Sequence, residues 1–225
     1  MQGKIVVVTG GFGALGRAVA QAAEAKGATV VRIDLTPPPA GAAAHDLGGV
    51  DISDPNAAAQ AIAAVVERFG GVDVLVNVAG GFVWRTLDDG GPEDWDRMFR
   101  INVTTALTMT KAALPELLKR PGARIINIGA GAAGKAAAGM GAYAAAKSGV
   151  ARLTESLAEE LKGQDITVNA VLPSIIDTPA NRADMPGADT SDWVKPADLA
   201  EVILFLASPA GRSITGALIP VTRGG

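Results

Sequence analysis

The chain has 225 residues, of which 48% are hydrophobic, and this is enough for one sizeable core in a single domain spanning residues 1–225. Its formal net charge of −3 and the lack of any Lys/Arg run argue against nucleic acid or a membrane surface as partner. The absence of cysteine excludes disulfides, thiolate chemistry and Cys-ligated zinc, and the single histidine, His45, cannot form a histidine metal cluster. We therefore expect a small-molecule partner and no metal.

Short apolar, β-branched segments alternate along the chain with longer Ala-rich segments of helical character. The predicted strands are Ile5–Val8, Thr29–Ile33, a short one near Val50–Ile52, Val72–Asn77, Arg124–Ile128, Ile166–Leu172 and a last one near Ala217–Val221. The predicted helices are Ala14–Lys26, Pro55–Phe69, Glu93–Lys119, Ala142–Lys162 and Pro196–Ala207. Strands that are apolar throughout, alternating with helices, indicate an α/β fold. We predict a single-domain, Rossmann-type, doubly wound parallel sheet with helices on both faces.

Segments outside these elements also carry information. The apolar stretch Ile5–Val8 is too short for a signal-peptide core or a membrane span, so we expect a cytoplasmic protein. The residues 37–41, with three consecutive prolines, are typical of a surface loop. The stretch Ile175–Val194, called here the substrate loop, is rich in Pro, Asp, Gly and Thr and lies where a substrate-covering loop is expected.

A glycine-rich turn joins the first predicted strand to the first predicted helix. Such a turn lets the backbone approach a pyrophosphate, and the helix N-terminus then offers free N–H groups and a positive dipole end. This strand–turn–helix context favours a dinucleotide site over a tight turn without a ligand. The residues expected to contact the cofactor here are Gly10, Phe12, Gly13, Ala14, Leu15 and Gly16.

Asp34 ends the second predicted strand, eighteen residues after Gly16. An acid at this place accepts hydrogen bonds from the adenosine ribose and repels a 2′-phosphate. Phe12 occupies a turn position that is often basic in phosphate-binding proteins, and Arg32 lies near Asp34 on the same side of the strand. We therefore expect NAD as cofactor, with NADH preferred over NADPH; the alternative for Asp34 is a solvated strand-end carboxylate.

Tyr143 and Lys147 are spaced so that they share one face of a helix. An ammonium beside a phenol favours the phenolate and eases proton exchange, as general acid–base chemistry requires. Tyr143 is the only tyrosine in the chain. We predict that this pair is the chemical centre.

Over essentially its full length the chain resembles the short-chain dehydrogenase/reductase family. The matching motifs are Thr9–Gly16, Asp51, Asn77–Gly80, Asn102, Tyr143 with Lys147, and Leu172–Ser174 followed by Thr178. The further cofactor contacts that the resemblance implies are Asp51 and Ile52 at the adenine, Asn77, Ala79 and Gly80 at the ribose, Ile176 and Thr178 at the carboxamide or phosphates, and Ile128 and Pro173. It also implies that Tyr143 is the general acid, that Lys147 binds the nicotinamide ribose, and that Asn102 kinks its helix and anchors a water linking Lys147 to solvent.

The chain departs from the family pattern at three places. Ala14 replaces the middle glycine of the turn, and Val78 replaces the second Asn of an Asn-Asn-Ala-Gly motif. The family's catalytic serine lies thirteen residues before the tyrosine, where this chain has Ala130. That serine hydrogen-bonds a substrate carbonyl oxygen, and loss of such a donor costs about two orders of magnitude or more in rate for carbonyl chemistry.

One branch of the family that lacks this serine, the quinonoid dihydropteridine reductases, is similar to this chain. The similarity lies in residues 10–16, 78–82, 139–143 and 177–189, followed by Trp193. It implies a planar conjugated substrate, for which Tyr143 suffices as proton donor. The residues expected to line the substrate are Ala130, Phe82, Trp84, Met140 and Trp193.

Three functions remain open at this point. The first is an NADH-dependent reductase of a planar conjugated heterocycle such as quinonoid dihydropterin. The second is a carbonyl or alcohol oxidoreductase in which a water or an Asn102-linked network replaces the serine. The third is a dinucleotide-binding sensor without catalysis. The resemblance also predicts a homodimer or homotetramer, paired through the helices Glu93–Lys119 and Ala142–Lys162.

Overall fold

The computed structural model describes residues 1–223, so the last two residues of the predicted domain lie outside the described part. Its strands are β1 (Ile5–Thr9), β2 (Thr29–Ile33), β3 (Val74–Asn77), β4 (Ala123–Ile128), β5 (Ile166–Pro173) and β6 (Leu218–Val221). Its α-helices are α1 (Ala14–Ala25), α2 (Pro55–Phe69), α3 (Pro92–Phe99), α4 (Thr105–Leu117), α5 (Gly141–Glu160), α6 (Pro179–Asp184) and α7 (Pro196–Ala207).

The strands form one parallel, six-stranded sheet in the order β2-β1-β3-β4-β5-β6. Side chains alternate between its faces, so that Val7 and Leu75 pack in a core with α2, α4 and α5, while Val6 and Val74 pack in a second core with α1 and α7. Helices therefore cover both faces, and the single-domain doubly wound prediction is confirmed. The strand order reverses between β1 and β3, and ligands of such sheets bind at this switch point.

The predicted short strand near Val50–Ile52 is wrong. Beside the edge strand β2 the structure has only an isolated parallel bridge between Ile33 and Leu47. The carboxylate of Asp51 folds back to accept the backbone N–H of Ser53 at 3.0 Å. Such local side-chain-to-backbone bonds offer the chain an alternative to a sheet ladder, so the apolar residues here form a loop that leads into α2.

The predicted helix Glu93–Lys119 is divided. A π-helical segment, Arg100–Thr104, separates α3 from α4, and the N–H of Thr105 bonds the carbonyl of Arg100 across it. The substrate loop, expected to be irregular, contains the short helix α6, whose N-cap is Thr178. None of the helices within residues 1–223 combines the length and apolar character needed to cross a membrane.

Candidate active site

The glycine turn after β1 has the shape that a pyrophosphate site needs. A Cβ atom on Gly16 would lie 2.2 Å from the carbonyl oxygen of Gly10, so a side chain has no room there, and Gly10 has a φ of 59°. The N-cap of α1, Gly13, makes no side-chain cap, which leaves the first N–H groups of Ala14 and Leu15 open. The turn therefore fits a dinucleotide through its backbone, while the Leu15 side chain packs in the core.

Asp34 is tied to this turn. Its Oδ2 accepts the backbone N–H of Phe12 at 2.9 Å, and its Oδ1 accepts both the N–H and the hydroxyl of Thr36 at 2.9 Å. The Phe12 ring is buried, with the Cζ atom of Arg32 5.6 Å from its centroid. Arg32 in turn donates from Nη2 to Oδ2 of Asp46 at 2.5 Å. The basic side chain beside Asp34 is therefore already paired.

The predicted adenine segment is held by side chains from the region of the π-helical segment. Oδ1 of Asp51 accepts the hydroxyl of Ser53 at 2.6 Å, and Oδ2 accepts Nη2 of Arg100 at 2.8 Å. Hydrogen bonding from Ser53, more than the charge of Arg100, holds the pKa of Asp51 below its usual range. The Thr108 hydroxyl donates to the carbonyl of Ile52. Asp51 and Ile52 thus form a fixed loop.

The last residue of β3 is buried in the core, and the residues that follow it lie closer to the surface. Asn77 is buried, and its Nδ2 donates to Oδ1 of Asn127 at 2.9 Å and to the hydroxyl of Thr110 at 3.1 Å. The amide thus links β3 to β4 and α4, and a contact of Asn77 with the ribose stays a prediction. Ala79 is partly exposed and Gly80 is exposed, and their contact with the ribose stays a prediction.

Tyr143 and Lys147 lie one turn apart on α5, with Lys147 Nζ 5.8 Å from the centroid of the tyrosine ring. Lys147 is buried and donates to the carbonyl of Ile128 at 2.8 Å. Burial lowers the pKa of Lys147 to about 8 and raises the pKa of Tyr143 to about 12. Burial thus works against the expected favouring of the phenolate. Tyr143 is protonated at neutral pH and is suited to donate a proton.

Asn102 joins the π-helical segment to the loop after β3. Its Nδ2 donates to the carbonyls of Gly81 and Met98, each at 3.0 Å, and its Oδ1 accepts the N–H of Gly81 at 3.2 Å. A Cβ atom on Gly80 would lie 2.6 Å from Asn102 Oδ1 and 3.5 Å from Lys147 Nζ. The predicted helix distortion at Asn102 is confirmed, and Gly80 lets the asparagine and the lysine approach each other.

Three of the residues predicted to line the substrate have apolar side chains. Ala130, which follows β4 in an extended conformation, is 6% exposed and offers only a methyl group. The Phe82 ring stands edge-on to the Tyr143 ring, with centroids 4.9 Å apart, and 47% of Phe82 is exposed. Met140 is the N-cap of α5 and is partly exposed. The structure thus shows Phe82 against the phenol, and the substrate contacts of Ala130 and Met140 stay a prediction.

Part of the Trp84 side chain packs against the protein itself. Its indole N–H donates to the carbonyl of Ala138 at 3.0 Å, and a Cβ atom on Gly139 would lie 2.2 Å from Cε2 of the indole. One side of the ring therefore covers the loop that precedes α5. The residue as a whole is still 55% exposed, which leaves surface for a ligand.

Trp193 belongs to the interior of the substrate loop. It is 5% exposed, next to Val194, which pairs with Ile176 in a parallel bridge. The side chain therefore offers little surface to a ligand in this structure, and its place in the substrate wall stays a prediction. Ile176 and Thr178 are partly exposed at the start of that loop, directly after the buried Pro173.

Sequence reasoning missed three residues at the site. The Thr9 hydroxyl accepts the N–H of Ala79 at 3.1 Å, Arg100 holds Asp51, and Asp46 holds Arg32. Thr9 directly precedes the glycine turn and was therefore detectable, whereas no motif around Arg100 or Asp46 indicates the partners that they bind. Residues 1–223 contain no group of three or more His, Asp or Glu side chains arranged to hold a metal ion.

The chain is similar to known proteins of one family. A family model described as short chain dehydrogenase matches residues 4–188. The 3-oxoacyl-(acyl-carrier-protein) reductase FabG of Vibrio cholerae is 32% identical over 241 residues, covering 100% of this chain and 98% of the relative. A short chain dehydrogenase from Burkholderia cenocepacia in complex with NADP has a TM-score of 0.88 and 34% identity, covering 99% of this chain and 98% of that chain.

A second solved structure carries the other form of the cofactor. The 3-ketoacyl-(acyl-carrier-protein) reductase from Brucella melitensis, complexed with NADH, has a TM-score of 0.86 and 29% identity, covering 98% of this chain and 97% of that chain. The open N-terminus of α1 and the tight glycine turn fit the same kind of dinucleotide. The chain therefore belongs to the short-chain dehydrogenase family and is an NAD(P)-dependent oxidoreductase.

Proposed function

We propose that this protein is an NADH-dependent reductase of a planar conjugated heterocycle such as quinonoid dihydropterin. The observation that carries the proposal is Ala130, a buried methyl group where the family resemblance leads one to expect a serine hydroxyl. Reduction of a carbonyl builds negative charge on oxygen, which a hydroxyl donor stabilises. Hydride addition to an electron-poor ring regenerates an aromatic system, so no alkoxide develops that needs such a donor.

The chain's own residues supply the proton. When bound, the reduced nicotinamide supplies the hydride, so the ring gains one hydride and one proton while the dinucleotide is oxidised. Tyr143, with a pKa of about 12, donates the proton from its hydroxyl group. Lys147, fixed by the Ile128 carbonyl at 2.8 Å, provides the nearby ammonium through which the phenol is reprotonated.

The surroundings of Tyr143 suit a flat ring. Phe82 is half exposed and lies edge-on to the phenol, while Trp84 and Met140 add apolar surface around the start of α5. Aromatic side chains favour offset or edge-to-face contact with other rings, and an apolar surface with one polar group is typical of a site for a small planar ligand. Tyr143 is that polar group.

Ala130→Ser tests the proposal by restoring the hydroxyl. We expect reduction of quinonoid dihydropterin to stay within about twofold of wild type, and reduction of simple ketones to rise about tenfold or more. Ala132→Ser, a hydroxyl on the turn next to the site, serves as the matched control and is expected to change neither rate. The proposal fails if the wild type already reduces simple ketones efficiently and the serine adds nothing.

A second function, carbonyl or alcohol oxidoreduction, is favoured by the relatives. The 32% identical protein is a 3-oxoacyl-(acyl-carrier-protein) reductase, and its match covers the whole chain. In this case a water or a network linked to Asn102 takes the place of the serine hydroxyl. Rapid oxidation of NADH with a β-keto thioester, and none with quinonoid dihydropterin, would establish this second function.

We also propose that NADH is preferred over NADPH. Asp34 reaches the glycine turn through the Phe12 N–H, where its carboxylate repels a 2′-phosphate. Asp34→Ala is expected to lower the preference about tenfold in dinucleotide titrations, because that repulsion is lost. Asp88→Ala, which removes an exposed acid elsewhere, is the control. A wild-type preference of about tenfold for NADPH would contradict this proposal.

We further propose that the chain forms a homodimer or a homotetramer through the layer of α3, α4 and α5. Large apolar side chains remain exposed on this layer: Phe99 on α3 is 53% exposed and Leu107 on α4 is 45% exposed. Neighbouring exposed apolar groups on a helical face are typical of an interface between copies.

A further inference from the structure

Two basic side chains, Arg17 and Arg32, lie against the glycine turn. Arg17 Nη1 donates to the carbonyl of Phe12 at 2.5 Å. Arg32 passes directly beneath the turn, since a Cβ atom on Gly11 would lie 2.5 Å from its Cβ. Arg32 lies in β2 and precedes Asp34, the residue directly after that strand, by two positions.

Arg32 has the position and the chemistry of a phosphate ligand. Its guanidinium lies over the Phe12 ring, and the N–H of Phe12 is bound by Asp34. The two side chains therefore meet at Phe12, beside the place where the acid of a dinucleotide fold binds the adenosine ribose. A 2′-phosphate on that ribose would come close to the guanidinium, and arginine is well suited to bind phosphate.

Asp46 prevents that use of Arg32. Its side chain is fully buried, its Oδ2 accepts both Nε at 3.1 Å and Nη2 at 2.5 Å of Arg32, and its Oδ1 accepts the backbone N–H of Arg32 at 3.0 Å. The N–H of Ala43 also donates to Oδ2, at 2.9 Å. The carboxylate is thus held by four hydrogen bonds, and it directs the guanidinium into the loop beside β2.

We propose that Asp46 is a specificity-determining residue, which keeps Arg32 from binding a 2′-phosphate and so leaves the repulsion by Asp34 uncompensated by that guanidinium. This inference rests on the proposed NADH preference and explains how a chain with an arginine at this place excludes the phosphorylated cofactor. It also assigns a function to the loop that replaces the predicted strand beside β2.

The loop is docked independently of the Asp46 carboxylate. The N–H of Leu47 donates to the carbonyl of Arg32 at 2.9 Å, and the N–H of Asp34 donates to the carbonyl of Leu47 at 2.9 Å. These backbone bonds hold the segment to β2 whatever side chain stands at position 46. Asp46→Asn keeps the size of the side chain and one carbonyl acceptor, so it releases the guanidinium while the loop stays in place.

The experiment measures dissociation constants of NADPH and NADH, without turnover, for wild type and Asp46→Asn. We expect the affinity for NADPH relative to NADH to rise about tenfold in the variant, since one charged ligand to the phosphate is gained. The double variant Arg32→Met/Asp46→Asn is expected to lose this gain and to return within about twofold of the wild-type ratio. Asp73→Asn, which breaks the Lys4–Asp73 ion pair elsewhere, is the matched control and is expected to leave the ratio unchanged.

Several outcomes would overturn the inference. One is an unchanged ratio in a folded Asp46→Asn protein, and another is a gain that persists after Arg32 is removed. If Asp46→Asn does not fold, the double variant decides, because it replaces the ion pair by neutral groups. A loss of about tenfold in its NADPH affinity relative to wild type would show that Arg32 already reaches the phosphate.

The failure of the proposed NADH preference is a separate result. It would be seen in the wild-type ratio alone, as tighter binding of NADPH than of NADH. The shift between wild type and Asp46→Asn, and its reversal by Arg32→Met, is measured against that ratio whatever its value. The two proposals are therefore distinguished by the same set of titrations.

Discussion

Charged side chains have different partners at the adenosine end and at the catalytic end of the site. At the adenosine end, Arg32 is paired with Asp46 at 2.5 Å, and Arg100 is paired with Asp51 at 2.8 Å. At the catalytic end, the Lys147 ammonium is buried, and the hydrogen bond that the structure shows for it goes to a backbone carbonyl at 2.8 Å.

This difference follows from what each end has to do. Paired charges hold a fixed geometry for recognition of the dinucleotide. A buried ammonium compensated by a carbonyl is costly, but its pKa of about 8 lies close to the working pH, where a proton is exchanged readily. The buried Lys147 ammonium therefore lowers the stability of the fold, but it places a group that can exchange a proton near Tyr143.

The largest expected effect comes from a substitution that changes the catalytic end alone. Tyr143→Phe removes the proton donor, so turnover is expected to fall by about two orders of magnitude or more, while the dissociation constant of NADH stays within about twofold. Steady-state kinetics and a dinucleotide titration on the same preparation measure both. Phe82→Leu, which changes the neighbouring ring without touching the hydroxyl, is the comparison. Retention of more than about a tenth of the activity in Tyr143→Phe would contradict the role of Tyr143.

The pH dependence of turnover sharpens the comparison. Lys147 is an ammonium below its pKa of about 8 and neutral above it, while Tyr143, with a pKa of about 12, stays protonated. Reductive turnover at saturating NADH is therefore expected to fall above pH 8, by about tenfold per pH unit when the ammonium is required. A profile that is flat to about pH 9.5 would show that the protonation of Lys147 does not limit the reaction.

Lys147→Met tests the cost in stability. The pKa of Lys147 in the folded state, about 8, is below its ordinary value of 10.5, so the buried amine destabilises the fold fully below pH 8 and progressively less up to pH 10.5. The variant is expected to be inactive but more stable at pH 7, by about 1–3 kcal/mol in the free energy of unfolding. Lys111→Met, at an exposed position on α4, is the control. A less stable Lys147→Met protein would refute this account.

The smallest effect concerns assembly, which we expect to leave both ends of the site intact. Leu107→Glu places a charge on the exposed face of α4 and is expected to give monomers at micromolar concentration, whereas wild type is a dimer or tetramer by light scattering. Leu87→Glu, on a loop outside α3, α4 and α5, is expected to leave the assembly unchanged. A monomeric wild type would contradict the proposed interface.

Much of the site was predictable because its signals are local. The glycine turn, Asp34 and the Tyr143–Lys147 pair each depend on one strand end, one turn or one helix face, and the structure has each of these local elements. The hydrogen-bond partners of Asn77 were not predictable in this way. Its motif lies next to the cofactor segment, but its amide binds Asn127 on a neighbouring strand, fifty residues away in the chain.

The sequence by itself determined the order of strands and helices, the doubly wound sheet and the type of cofactor, because hydrophobic periodicity and turn chemistry act over a few residues. Only the tertiary structure decided that Val50–Ile52 forms a loop, that Trp193 is buried and that burial raises the pKa of Tyr143. The same holds for the pairing of Arg32 with Asp46. Each of these depends on burial and on partners brought together by packing, and neither desolvation nor a distant hydrogen bond leaves a pattern in the local sequence.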